Sequence, residues 1–356
     1  MASMRPVSKR PVFRRCARFG SIIAIGLGVL AATPAPASAA VTSHHVNGVQ
    51  SAVSCLTKSL CVVVGFHGSA AKGDVVALHN GKPGKIANVK GGGQLYGVSC
   101  PSHNGCVAIG SASSGVSFVS IGKGGRPTKT STPKTPAGVT LDHIACTTLH
   151  HCIVAGTDVF KNPSAIEIGT WNGHALTLHR THGVKSSGKS LAIQGVGCFD
   201  SHCLVVGGYT KNKKNDSVII AVHSGHPGAL NSLDNETLTS VACTSASHCL
   251  AAGYGSGAQS GVIVTLSHVL VTKLIEVRAK LYGIACHTSA HCTAAGEQLN
   301  SAKTKDVGSV IRLASGKVTS TTGVSTSRLF LGVAQHSGGY VAVGEAGGAG
   351  SVVTVG

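Results

Sequence analysis

Twelve cysteines in this chain fall into six close pairs, each inside a recurring phrase, and that periodicity restricts the fold more than any other feature. The copies read VSCLTKSLCVVVG from Val53, VSCPSHNGCVAIG from Val98 and IACTTLHHCIVAG from Ile144. They continue with VGCFDSHCLVVG from Val196, VACTSASHCLAAG from Val241 and IACHTSAHCTAAG from Ile284. A seventh, VAQHSGGYVAVG from Val333, keeps the frame with Gln335 and Tyr340 in the cysteine positions. First cysteines are 45, 46, 52, 45 and 43 residues apart, with 49 more to Gln335.

Each unit reads as four short strands. A run of small apolar residues ends at the first cysteine, as in 95–100, and a second run begins at the second, as in 106–110. A third alternates, as in 115–121 or 262–266, and turns on Asn80-Gly81, Asn172-Gly173, Ser224-Gly225 or Ser315-Gly316 lead to a more polar fourth. Units of about 45 residues with four strands are the blades of a propeller. The expected fold is therefore all-β, a seven-bladed β-propeller of four-stranded antiparallel blades. The last unit supplies only three strands, 329–335, 340–344 and 351–355. Its fourth is expected from Val41–Val46, an exchange that removes both exposed edges.

The strand-two phrase ending in glycine resembles the propellers of the sialidase-repeat and photosystem-stability-factor type, and especially a cysteine-bearing variant in secreted bacterial proteins. The resemblance covers nearly all of residues 40–356. The Trp-Asp landmark of WD repeats is missing. The Asp-box of sialidases, Ser-x-Asp-x-Gly-x-x-Trp, is absent from every turn between strands three and four.

Residues 1–39 read as an export signal. Arg5, Lys9, Arg10, Arg14, Arg15 and Arg18 precede an apolar run at 21–32, and Ala37-Ser38-Ala39 offers a small-residue cleavage site. The run is short for a membrane span, and no later stretch is long and apolar enough to make one. The chain is expected outside the cell or on its wall, by general secretion rather than the twin-arginine route that Arg14-Arg15 hints at. Cys16 leaves with the signal, and twelve cysteines in an exported chain suit a disulfide framework. The expected pairs are Cys55/Cys61, Cys100/Cys106, Cys146/Cys152, Cys198/Cys203, Cys243/Cys249 and Cys286/Cys292, each bridging a short hairpin loop. Six zinc half-sites are the alternative, disfavoured because no pair has a Cys-x2-Cys companion.

Catalytic motifs are missing: there is no Gly-x-Ser-x-Gly elbow, P-loop or His-Glu-x-x-His. A sialidase would want converging arginines, and beyond the signal only Arg126, Arg180, Arg278, Arg312 and Arg328 are available. The enzyme alternative is a polysaccharide- or ester-acting lyase or hydrolase working in the central funnel, with His143 and Asp142 as its first candidates. No cofactor and no metal is implied.

Binding residues are expected on the loops. Connections between strands two and three vary most, at 70–74, 158–164, 211–216 and 299–306, and one of them carries Lys211, Lys213 and Lys214. The opposite face has the stranger composition. Its cysteine loops hold His103, His150, His151, His202, His248, His287 and His291, and four of these (His151, His202, His248 and His291) directly precede the second cysteine. Nearby turns add Lys82, Lys85, Lys123, Arg126, Lys129 and Lys317, against Asp200 as the clear acid. Three readings fit the histidines: solvated hairpin positions, a surface that gains charge below about pH 6.5, or transition-metal ligands, which would have to converge from separate blades.

Beyond the signal the chain carries 24 Lys and Arg against 12 Asp and Glu. Such a surface attracts polyanions. With one Trp and few other aromatic residues it is poorly supplied for stacking on bases, so sequence-specific nucleic-acid binding is not expected. The expected role is that of an exported, non-catalytic binding or scaffold protein, a monomer that associates with an anionic envelope polymer or a protein partner.

Overall fold

The computed structural model describes residues 41–68, 71–113, 115–158, 160, 165–180, 191–211, 214–257, 259–336 and 339–355. The segment expected to be an export signal, 1–39, lies outside the described residues.

Seven four-stranded antiparallel sheets follow one another. Blade 1 runs Val49–Cys55, Leu60–His67, Lys72–His79, Lys82–Asn88. Blade 2 runs Leu95–Ser102, Gly105–Ala112, Gly115–Gly122, Pro127–Ser131. Blade 3 runs Val139–Thr148, His151–Asp158, Ala165–Trp171, Leu176–Arg180, and blade 4 Leu191–Phe199, His202–Lys211, Lys214–His223, His226–Asn231. Blade 5 runs Glu236–Ser245, His248–Gly255, Gly261–Ser267, Leu270–Val277. Blade 6 runs Lys280–Thr288, His291–Leu299, Asp306–Ala314, Lys317–Val324. Blade 7 has Leu329–His336, Gly339–Ala346 and Ala349–Val355 from one end of the chain and Val41–Val46 from the other. The ring is thus closed as expected, with Val41 opposite Val355 and Val46 opposite Gly350.

The core consists of seven separate apolar clusters, one between each pair of neighbouring blades. Val62, Val64 and Val75 of blade 1 meet Leu95, Ala108 and Val119 of blade 2. Val46, Val341 and Val352 of blade 7 meet Val53, Val63 and Val76 of blade 1. Small β-branched residues suit this work, because they fill a pleated surface that is covered on both sides. The one tryptophan, Trp171, stacks on Phe118 across the blade 2–3 boundary with centroids 4.1 Å apart.

The glycine that ends the strand-two phrase has a steric cause. Gly65, Gly110, Gly156, Gly207, Gly253, Gly296 and Gly344 all lie where a Cβ would run into a backbone carbonyl at the start of the adjacent first strand or, for Gly110, of the residue just before it; for Gly156 that is the carbonyl of Thr140. Every first strand also carries a register shift at the same place, four residues before the first cysteine. These bulges belong to Ser51, Tyr96, Asp142, Gln194, Thr239, Tyr282 and Leu331.

All six expected sulfur bridges are formed. In five of them the two cysteines stand directly opposite in the ladder, as in Cys146 and Cys152. In blade 2 a register shift falls between Ser99 and Ser102 instead.

The structure buries the second cysteine of each pair, Cys61, Cys106, Cys152, Cys203, Cys249 and Cys292, in the core. Each belongs to one of the apolar clusters between blades: Cys203 packs with Val205 and Val222, Cys106 with Ala108 and Ile121, and Cys61 with Val63 and Leu78. Cys152, Cys249 and Cys292 are held in the same way among Val154, Val264 and Ala294 respectively. The cause is that strand two starts one residue before this cysteine and lies inside the blade, covered by neighbouring sheets, where the residue acts as a small hydrophobe. The first cysteines, Cys55, Cys100, Cys146, Cys198, Cys243 and Cys286, are only half-buried. The bridges therefore tie the mouth of each hairpin to the core, and their second sulfurs offer nothing to a ligand in solvent.

The turns at Asn80-Gly81, Ser224-Gly225 and Ser315-Gly316 have positive φ at both residues, as a two-residue hairpin of matching twist requires. Asn172-Gly173 departs from this pattern. Only Gly173 is positive there, and the Asn172 side-chain oxygen accepts from the amides of His174 and Ala175.

Candidate functional site

Hairpins between strands one and two, and turns between strands three and four, open on one face of the ring. That face collects the exposed cations Lys58, Lys82, Lys85, Lys123, Arg126, Lys129, Lys273 and Lys317. It also carries His79, His103, His150, His151, His174, His202, His223, His226, His248, His268, His287, His291 and His336. Of the twelve acids, Asp200 alone joins them. The other eleven stand at or near the far strand ends, as Asp158, Asp216, Glu297, Asp306 and Glu345 do, or, like Asp142, within a first strand.

Blades 1 and 2 supply most of the fixed charge. Lys82 follows the Asn80-Gly81 turn directly opposite His79, and Lys85 lies further along the same exposed strand. Lys123 and Arg126 flank the Gly124-Gly125 turn, and Gly125 is pressed against Ala77 of blade 1. Two neighbouring blades thereby present their cations together. Blade 6 reaches back in a similar way, with Lys273 Nζ of blade 5 donating to the Gly316 carbonyl at 2.6 Å.

The repeated histidines do not gather at one point. His151, His202, His248 and His291 each sit one step beyond the bridge of their own blade, opposite Thr148, Phe199, Ser245 and Thr288 respectively. His291 leans on Thr288, with Nδ1 3.3 Å from its hydroxyl. His248 is half-buried, and its Nε2 has no hydrogen-bond partner. His103 is a strut between blades: its Nδ1 lies 2.6 Å from the Leu56 carbonyl, so that ring nitrogen carries the proton and donates. Among the described residues no group of three or more His, Cys, Asp or Glu closes around one point.

The centre of this face opens into a cavity of about 660 Å³ lined by Lys58, His103, His287, Gln335 and the first cysteines of several bridges, such as Cys55, Cys198 and Cys243. Further in, a narrower space of about 230 Å³ is lined by residues of all seven first strands, most of the bulge residues among them. Tyr282 donates to Glu297 Oε1 at 2.8 Å, and burial with that carboxylate pushes its phenol pKa up. Burial drives the His143 pKa down to about 4, against a backbone hydrogen bond with Ile193 that pulls the other way. Burial also raises Asp142. At neutral pH His143 is therefore an uncharged lining group. The bulges that turn these side chains inward leave no mark in a strand pattern beyond the small residue that follows most of them, such as Gly97, Gly195 and Gly283.

On the other face, Lys211 and Lys214 stand opposite each other in the blade 4 hairpin, and Lys214 is exposed. Lys213 lies outside the described residues. Asp74, fully buried there, has its carboxyl raised to about 6 by burial, which outweighs the contact from His67 Nδ1 at 3.1 Å. At the rim, Leu270, Val271 and Leu274 of blade 5 and Val318 of blade 6 are exposed. They flank or line a groove of about 600 Å³ between the two outer strands.

No protein-family model matches the chain, and no curated protein matches it in sequence. Solved structures do. The WD40 β-propeller domain of Doa1 superposes with a TM-score of 0.60 at 12% identity, covering 88% of this chain and 95% of that one. YCF48 bound to D1 peptide gives 0.55 at 10% identity, over 88% and 96% of the two chains. The RRP9 WD40 repeats give 0.60 at 10%, over 91% and 99%. The likeness is one of fold. WD40 propellers are among these neighbours although this chain lacks the Trp-Asp landmark, because ring closure by four-stranded blades needs small apolar strands and tight turns rather than any one signature.

Proposed function

We propose that this chain is an exported, non-catalytic binding propeller that associates through its hairpin face with anionic polymers of the cell envelope. The observation that carries the reading is the charge segregation: eight exposed Lys and Arg share that face with thirteen histidines and one acid. A flexible polyanion can lie across several cations at once, so contacts that are individually weak add along the polymer. The attraction is screened by salt over about 8–10 Å. It strengthens on acidification, as imidazoles take up protons. Export is supported by the basic and apolar segments of residues 1–39.

Retention on purified anionic wall polymer tests this. Binding should weaken from 50 to 300 mM salt, strengthen from pH 7.5 to 5.5, and fall in Lys82→Glu/Lys123→Glu/Arg126→Glu. The same number of reversals on the other side, Lys90→Glu/Lys303→Glu/Lys305→Glu, should leave most of it. Equal losses in the two triple variants, or indifference to salt, would refute the assignment of the face.

A second reading, a protein partner, is favoured by the exposed apolar side chains at the blade 5–6 rim. One neighbour in fold is described as bound to a peptide. For this chain, Leu270→Ser/Leu274→Ser would weaken capture of such a partner and leave polymer retention intact.

A further inference from the structure

Blade 4 carries a row of histidines that only the strand register reveals. His202 on its second strand stands directly opposite His223 on its third, and His223 stands opposite His226 on its fourth. Side chains of directly opposed residues project from the same side of a sheet, with Cβ atoms about 5 Å apart. The rings of His202 and His223 have centroids 4.6 Å apart, tilted by 54°. The row continues into blade 3, where His179 on the outer strand meets His226 at 4.8 Å and 60°. His202, His223 and His226 are exposed, and His179 is half-buried.

Two imidazoles at this spacing are close enough for one nitrogen of each to reach a shared ion. Imidazole nitrogen suits copper, zinc and nickel. A tilted, non-stacked pair can direct both lone pairs at one ion, and water can complete its coordination. Ser201 Oγ lies 3.5 Å from His202 Nδ1, a weak contact. Asp200, the single acid of the face, belongs to the same hairpin as His202 and adds attraction for a dication. A third histidine couple provides a contrast: the rings of His150 and His174 are farther apart, at 6.3 Å, and nearly parallel at 11°.

We propose that His202–His223 and His179–His226 are two bis-imidazole chelates, each taking one divalent transition ion of the copper, nickel and zinc class. The chelates do not rest on the polymer reading, although His202, His223 and His226 also stand on the face assigned to it.

Untagged protein titrated calorimetrically with copper(II) chloride at pH 7.5 tests the proposal. Two ions per chain are expected, bound more tightly than zinc, as the general order of divalent affinities requires. His202→Ala/His223→Ala should remove one ion, His179→Ala/His226→Ala the other, and the quadruple variant both, whereas His150→Ala/His174→Ala should keep two. Three of the four side chains are exposed and unchanged melting temperatures would show that the fold is kept; His202→Gln/His223→Gln serves if it is not. Electron spin resonance of the loaded parent should show nitrogen coupling that is lost in the quadruple variant. No saturable binding by the parent, or equal binding by parent and quadruple variant, would overturn the proposal.

Discussion

Removal of one sulfur bridge is a perturbation whose cost follows mainly from connectivity. Cys146 and Cys152 are separated by 6 positions, so their bridge closes a very short loop. In the chain-entropy account, opening such a loop restores about 8 cal/mol/K to the unfolded chain, or about 2.4 kcal/mol at 25 °C. Unfolding entropy near 2.1 cal/mol/K per residue gives a ring of about 300 residues roughly 0.65 kcal/mol/K, so the melting temperature of Cys146→Ala/Cys152→Ala should fall by about 4 °C. Alanine is the right replacement, because Cys152 is fully buried and a hydroxyl would be left without a partner there. Differential scanning calorimetry of parent and variant, with the other five bridges intact, makes the comparison. A shift under about 1 °C would mean that the staple constrains nothing in the unfolded chain, and one above about 10 °C that it holds native structure directly; either refutes the entropic reasoning. Cys198→Ala/Cys203→Ala should behave alike, since its separation of 5 changes the logarithm little. Reduction of all six bridges removes about 14 kcal/mol, as much as the entire stability of an ordinary domain, so the reduced protein should unfold at room temperature.

Deletion of residues 41–47 strips the outer strand from blade 7 and opens the ring, so cooperative melting should shift down for the whole molecule; an unchanged thermogram would mean that closure does not depend on Val41–Val46. Gly156→Ala should cost about 1–3 kcal/mol in urea unfolding because the new methyl meets the Thr140 carbonyl, while Gly124→Ala, with open space around it, should cost far less. Asp74 has a folded pKa of about 6, above its ordinary value of 3.8, so its contribution is full below pH 3.8 and lost as pH rises through 6. Asp74→Asn should therefore gain on the parent between pH 4 and 8, by as much as about 3 kcal/mol in denaturant unfolding. His143 has the opposite sign: with a folded pKa near 4, its contribution is full above pH 6.5 and lost as pH falls through 4, so His143→Gln should flatten the acid side of the stability profile.

Much of the ring was legible because the cues are local. A glycine closing strand two, a cysteine on each side of a short loop and turn pairs such as Ser224-Gly225 act over a few residues, and seven repetitions average away the noise in each. The depth of the second cysteines was not legible in the same way. Spacing pairs Cys249 with Cys243, but its burial comes from blade 4, whose Leu204 and Val206 belong to the same cluster. The exchange of Val41–Val46 was legible for a different reason, since a three-stranded last unit leaves an edge that some segment must cover. The bulge ring from Ser51 to Leu331 was not, because one extra residue in a strand leaves the hydrophobic pattern almost unchanged while turning a side chain into the channel. The histidines show the limit most clearly. Repetition drew attention to His151, His202, His248 and His291, which never meet, whereas the real neighbours of His202 and His226 are His223 and His179. Those pairs depend on which residues stand opposite across a ladder and across a blade boundary. Spacing along the chain carries neither.

The pairing of Val41 with Val355 also sets an order of events. A segment made early has no partner until almost the whole repeat array has been synthesised some three hundred residues later, so the seventh sheet is the last to form whichever blades assemble before it. Six modules can staple themselves as soon as their own two cysteines are out. The seventh, with Gln335 and Tyr340 where the others have sulfur, waits on a meeting of the two ends. The one blade without a covalent lock is thus the one whose completion turns a row of hairpins into a circle.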